Sequence, residues 1–90
     1  MEQSAMPITD VFGIPGACVV AGKITEGSFS VGDKVTLIQE DGSKIETSIK
    51  GIEVGLGKKC DTVEKGQNVS IQLNGVNKAD VKPGAILKKD

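Results

Sequence analysis

Apolar and polar residues alternate with a period of two along several short stretches of this chain. Val35 and Leu37 point one way, with Lys34 and Thr36 between them. Ile45, Thr47 and Ile49 alternate with Glu46, Ser48 and Lys50, and Val69, Ile71 and Leu73 alternate with Ser70, Gln72 and Asn74. Such a pattern gives a strand one buried and one wet face. Asp41-Gly42 falls between the first two stretches and predicts a hairpin turn. Val19-Val20 and Ile86-Leu87 are short apolar runs that read as strands buried on both sides. Met6 to Ile14 reads as a first strand, with Pro7 weakening its start.

Glycine punctuates the chain. The 12 glycines leave no glycine-free window longer than nine residues after Phe12. Each glycine in a helix interior costs about 1 kcal/mol relative to alanine, so short strands divided by turns are favoured over a long helix. Phe29-x-x-Gly32, Val63-x-x-Gly66 and Val81-x-x-Gly84 repeat one pattern, each ahead of a strand, and read as repeated turn chemistry. Gly55 to Lys65 reads as a long loop with one helical turn, and Asn77 to Asp80 as a further turn before Pro83. About six antiparallel strands in ninety residues predict an all-β fold: a small closed antiparallel six-stranded barrel, which leaves no exposed edges. The length allows one domain over 1-90, with its core at about 6-89.

Composition narrows the function. Eleven Lys and Arg against twelve Asp and Glu give a net charge of -1, which argues against a strongly basic nucleic-acid binder. No apolar run reaches the roughly 18–20 residues of a membrane span, and Met1 to Met6 has neither the basic nor the apolar region of a signal peptide. Histidine, Trp and Tyr are absent, and Phe12 and Phe29 are the only aromatics. The commonest general base and metal ligand are therefore missing, as is any multi-aromatic platform for stacking bases. Cys18 and Cys60 form no C-x-x-C motif and read as free thiols of a cytoplasmic protein. No cofactor and no metal are expected.

Asn77-Lys78-Ala79-Asp80 matches the N-K-x-D motif that reads guanine in GTPases. Hydrolysis also needs G-x-x-x-x-G-K-S/T to cradle phosphates. The only Gly-Lys pairs, Gly22-Lys23 and Gly57-Lys58, lack the following hydroxyl. Neither cysteine has a histidine to activate it, so the chain reads as a binding module and not as an enzyme. Phe12 reads either as core or as a contact. Glu53 is able to accept hydrogen bonds from a ribose or a base edge, and Lys23, Lys58 and Lys59 to meet phosphates.

Met6-Pro7-Ile8-Thr9-Asp10-Val11-Phe12-Gly13-Ile14 resembles the opening of the second domain of elongation factor Tu and related translational GTPases. The resemblance continues through Val19-Val20-Ala21-Gly22-Lys23-Ile24, Gly27, Val31-Gly32-Asp33-Lys34-Val35, Gly51-Ile52-Glu53, Gly66-Gln67-Asn68-Val69, Gly75-Val76, Asp80-Val81 and Gly84-Ala85-Ile86-Leu87. It spans Met6 to about Lys89, and it implies the translation-factor β-barrel. That barrel normally follows a nucleotide-binding domain, which these ninety residues do not contain. The family barrel holds the aminoacylated 3′ end of tRNA, and in ribosome-bound factors it touches small-subunit RNA. By this resemblance Asp10 and Phe12 line the pocket for the aminoacyl end, Glu53 meets the terminal adenosine, and Gly22 and Lys23 stand at the family's Gly-Arg step.

Departures fall near that pocket. Gly16-Ala17-Cys18-Val19 is one residue shorter than the family turn G-x-G-S/T-V, Ala21 stands where a Thr is frequent, and Lys23 replaces Arg, losing its planar fork. The expected partners are a tRNA 3′ end or the ribosome, with a separate GTPase or another protein, and neither DNA nor a membrane. The alternative is a protein-interaction barrel that has lost the aminoacyl-tRNA pocket.

Overall fold

The computed structural model describes residues 3–15, 17–55 and 57–89. Met1, Glu2, Gly16 and Leu56 lie outside the described residues, as does Asp90, so readings that fall on them are not addressed. The strands are β1 (Ser4–Ile14), β2 (Ala17–Lys23), β3 (Ser28–Ser30), β4 (Lys34–Ile38), β5 (Lys44–Val54), β6 (Lys58–Cys60), β7 (Thr62–Glu64), β8 (Asn68–Asn74) and β9 (Ile86–Lys89), with a 3-10 turn over Lys78–Asp80.

Six of these strands close a ring in the order β4-β9-β1-β2-β8-β5, shut by the β4–β5 pairing. Every pairing in it is antiparallel. The expected six-stranded barrel is thus present. β6 extends the ring from β5, and β3 pairs with β7 in a separate two-stranded sheet.

Two long strands make the corners. β1 pairs with β9 over Ser4 to Pro7, then with β2 from Ile8 onward. β5 pairs with β4 over Lys44 to Ser48, then with β8 from Ile49. Each carries a register shift near the change of partner, at Ile8/Asp10 and at Ile49/Gly51. An extra residue in one strand bends it and increases its twist, which a small barrel needs in order to close.

The alternation read from the sequence becomes the inside and outside of this ring. Val11, Val20, Ile71, Ile52 and Cys60 lie opposite one another in successive strands as one inward row. Val35, Leu37, Ile49, Val69 and Leu73 are buried as expected. Val19-Val20 and Ile86-Leu87 depart from expectation. Val20 and Leu87 are buried, but Val19 and Ile86 are only half-buried. A barrel wall has a single interior, so adjacent apolar residues cannot both enter it.

The segment Gly55 to Lys65 is corrected outright. It holds β6 and β7 where a loop with a helical turn was expected. β7 exists through its pairing with β3, in which Phe29 faces Val63 and both are fully buried. The Asp41-Gly42 hairpin and the turn at Asn77 to Asp80 are as expected.

The threefold pattern is also turn chemistry. In Ser30–Asp33, Glu64–Gln67 and Lys82–Ala85 the fourth residue's N–H donates to the first carbonyl at 3.1, 3.1 and 3.2 Å. The third residues Gly32, Gly66 and Gly84 have φ of 93, 94 and 101°. No described non-glycine residue has positive φ, so these are type II turns, which require glycine at that position.

One ion pair ties the first of these turns to β9. Lys89 Nζ donates to Asp33 Oδ2 at 2.8 Å, and the Ser30 N–H donates to the same oxygen at 2.8 Å. Burial pushes the Asp33 carboxyl up, but Lys89 and the Ser30 N–H outweigh it and hold it below its ordinary value. A depressed carboxylate adds stability above its unfolded pKa and loses it as pH falls through the folded value. Asp33→Asn keeps an acceptor for Ser30 and removes the charge. It should cost about 1 kcal/mol at neutral pH, and the gap from wild type should close below about pH 4. Urea midpoints compared at pH 7 and pH 3 check this; an unchanged gap would show that the ion pair adds nothing.

Candidate functional site

The five expected site residues fall on one wall of the barrel, formed by β1, β2, β8 and β5. The pairing registers place Asp10 opposite Ala21, Ala21 opposite Ser70, Ser70 opposite Glu53, and Glu53 opposite Lys59. Residues directly opposite in a ladder point to the same face, so these side chains form one outward row. Within it Asp10 and Glu53 stand three strand spacings or about 14 Å apart. A second outward row runs Phe12, Val19, Gln72, Gly51.

A hollow of about 260 Å³ lies along the first row, lined by Thr9, Asp10, Gly22, Glu53, Asn68 and Ser70 among others. It brings three of the five expected residues together: Asp10, Gly22 and Glu53. Phe12 and Lys23 do not line it. Phe12 projects from the adjacent row at 52% exposure, so its reading as core is excluded. Lys23 is exposed and sits opposite Asn68.

The hollow owes its shape to a close backbone approach. Gly22 pairs with Ile8 at the β1 bulge, and a Cβ there would collide with the Pro7 carbonyl. Thr9 donates from Oγ1 to the Ala21 carbonyl at 3.2 Å, stitching the bulge to β2. The Asp10 and Glu53 carboxylates thus flank a small polar depression floored by Ala21 and Ser70, with the Thr9 hydroxyl 3.3 Å from Asp10 Oδ2.

A neighbouring hollow of about 380 Å³ shares Glu53 and Ser70 with the first and is more apolar. Val19, Val31, Gly51 and Ile52 line it together with Lys50, Lys59, Cys60, Asp61 and Gln72. Val31 is 43% exposed. Val19, Val31, Gly51, Ser70 and Gln72 were not among the site residues expected from the sequence. Ser70 and Gln72 were visible as the wet face of β8, but only the pairing register shows which residues of other strands they meet.

A larger space of about 730 Å³ lies elsewhere, framed by Lys34, Glu46 and Lys88, and includes none of the expected residues. Covalent or metal chemistry finds no arrangement in the wall. Burial pushes the Cys18 thiol up, so it stays protonated at neutral pH, and both cysteines are free. Among the described residues no group of three or more His, Cys, Asp or Glu is placed to hold a metal, and no helix is long and apolar enough to cross a membrane. The Asn77 to Asp80 stretch forms the 3-10 turn between β8 and β9.

Comparison with known proteins agrees with this architecture. Elongation factor 1-alpha of Pyrobaculum calidifontis is 40% identical over 85 residues, which cover 93% of this chain and 18% of that protein. The crystal structure of translation elongation factor SelB from Methanococcus maripaludis, apo form, superimposes with a TM-score of 0.86 at 26% identity, over 98% of this chain and 19% of that one. The chain therefore spans less than a fifth of either relative. The family model for elongation factor Tu domain 2 matches residues 18–87. With the ring order and the bulged corners, that match establishes that the chain belongs to the elongation factor Tu domain 2 family.

Proposed function

We propose that this barrel is a non-catalytic, cytoplasmic module of the translation machinery, and that the wall of β1, β2, β8 and β5 holds the aminoacylated 3′ end of a tRNA. The observation that carries the reading is the convergence of Asp10, Gly22 and Glu53 on one polar hollow beside an apolar one. The polar hollow suits the aminoacyl end. Its carboxylates attract an α-ammonium and accept hydrogen bonds from ribose hydroxyls, the group that distinguishes RNA from DNA. The apolar hollow suits a base, with Gly51 leaving room where a side chain would stand. Lys23, Lys50 and Lys59 stand where they offset the charge of the terminal phosphates. The module acts beside a GTPase unit, as the family barrel does.

A protein-binding role is the second reading, favoured by one observation: Phe12 and Ile14 are 52% and 41% exposed on the same side of β1. Salt separates the two. Phosphate contacts weaken steeply as salt rises, whereas apolar contacts do not. Glu53→Gln is expected to weaken binding of an aminoacylated hairpin ending in CCA by about tenfold, the loss of one charged hydrogen bond. Lys23→Ala is expected to lower the salt slope by roughly one phosphate contact. Affinities of the two variants at 50 and 200 mM salt test this. If both bind like wild type, the wall is not the RNA site.

A further inference from the structure

We infer that Asn74 is a modification site: it deamidates to aspartate and isoaspartate through a succinimide, at a rate that two hydroxyls of β5 hold down. Asn74 is the last residue of β8 and is followed by Gly75, the one Asn-Gly step in the sequence. Its side chain is exposed. Gly75 lies outside any strand at φ 66°, and no atom of the described residues beyond its chain neighbours comes within 4 Å of where a Cβ would stand. A glycine nitrogen has no side chain to shield it, and its backbone turns easily. The other two asparagines are placed differently. Asn68 precedes Val69, which is branched, buried and paired on both sides, and Asn77 precedes Lys78, which opens the 3-10 turn.

The Gly75 nitrogen, once its proton has gone to solvent hydroxide, attacks Asn74 Cγ. A C–N bond forms, the Cγ–Nδ2 bond breaks, and the departing nitrogen takes a proton from water and leaves as ammonia. A second water opens the cyclic imide at either carbonyl, giving aspartate or isoaspartate. No electrons are exchanged, and hydroxide is regenerated. Attack requires Cγ to swing toward the following nitrogen, and two contacts oppose this. Asn74 Nδ2 donates to Ser48 Oγ at 2.9 Å, and Thr47 Oγ1 donates to the Asn74 carbonyl at 2.5 Å. β5 pairs with β8 only from Ile49 onward, so beyond Leu73 these two side-chain bonds stand where the ladder stops. They form a latch on the end of β8. The products act in different ways. Aspartate adds a carboxylate beside Ser48, which is paired with Lys34, in the 730 Å³ space. Isoaspartate lengthens the backbone at a residue paired with Ala17 and just ahead of the buried Val76.

The test ages the ninety-residue chain in mildly alkaline buffer and follows each asparagine by peptide mass spectrometry, with aspartyl and isoaspartyl forms separated by elution. Asn74 is expected to convert ahead of Asn68 and Asn77. Ser48→Ala should convert about fivefold faster while folded, the release of one neutral hydrogen bond. In guanidinium chloride wild type and Ser48→Ala should convert alike, because the latch exists only in the folded chain. If Asn68 or Asn77 converts as fast as Asn74, or none of them converts, the assignment of the site is overturned. If folded Ser48→Ala keeps the wild-type rate, or gains rate only in proportion to a fallen urea midpoint, the latch is overturned.

Discussion

Phe29→Ala is expected to remove about 3–5 kcal/mol of stability, the usual cost of emptying a buried phenylalanine site. At roughly 0.05–0.15 kcal/mol per residue, a chain of this size holds only about 5–13 kcal/mol in total. Phe29 is the largest fully buried side chain and the only buried aromatic. It sits at the centre of the three-residue β3 and faces the equally buried Val63 of β7. Strands this short contribute few ladder hydrogen bonds, so the two-stranded sheet depends on this pair of side chains. Lys89 Nζ stands 5.9 Å from the ring centroid while it holds Asp33, so the deletion also loosens the tie between β9 and the turn before β4. Phe12→Ala is the internal control. At 52% exposure it should cost under about 1 kcal/mol. Urea titration followed by far-UV circular dichroism measures both, since the chain has neither Trp nor Tyr for fluorescence. Equal losses for the two phenylalanines would contradict this account of the core.

Gly22→Ala is expected to cost several kcal/mol, about 2–4, although alanine is the smallest side chain available. The added Cβ would overlap the Pro7 carbonyl oxygen and come within 3.4 Å of Met6 Cγ. The first of these is backbone, fixed by pairing to β9, and has no rotamer by which to yield. β1 and β2 must therefore part at the point where β1 changes partner. The same movement deforms the polar hollow, so RNA binding should fall together with stability. By contrast, Gly51→Ala meets only the end of the Gln72 side chain at 3.4 Å and should fold nearly as well as wild type. A Gly22→Ala variant with an unchanged urea midpoint would show that the approach at the bulge is looser than described.

What was legible in the sequence was set by local chemistry. The alternation of β4, β5 and β8 and the type II turns at Gly32, Gly66 and Gly84 depend on near neighbours. Each was readable from a few residues. β3 and β7 were not, because three residues such as Ser28–Ser30 carry no periodicity and form a strand only by finding Thr62–Glu64. The corners of β1 and β5 were hidden for a related reason. A bulge is a property of two strands in register, and nothing in Ile8 to Asp10 alone reveals it. The site divides in the same way. Asp10, Gly22 and Glu53 were named from the family resemblance, and their convergence on one hollow comes from the register across three strand pairs. Gln72 was visible only as a polar residue on a wet face. Its place beside Val19 and Gly51 needed the sheet.

The central claim is that the wall of β1, β2, β8 and β5 holds an aminoacylated RNA end. A two-dimensional NMR titration of the labelled chain with an aminoacylated hairpin ending in CCA tests it most directly. The account predicts that the amide signals of Asp10, Phe12, Gly22, Lys23 and Glu53 move together, that the uncharged hairpin moves them less, and that β4 and β9 stay still. No movement at low salt and high RNA would contradict it, as would movement confined to the lysines of β4 and β9.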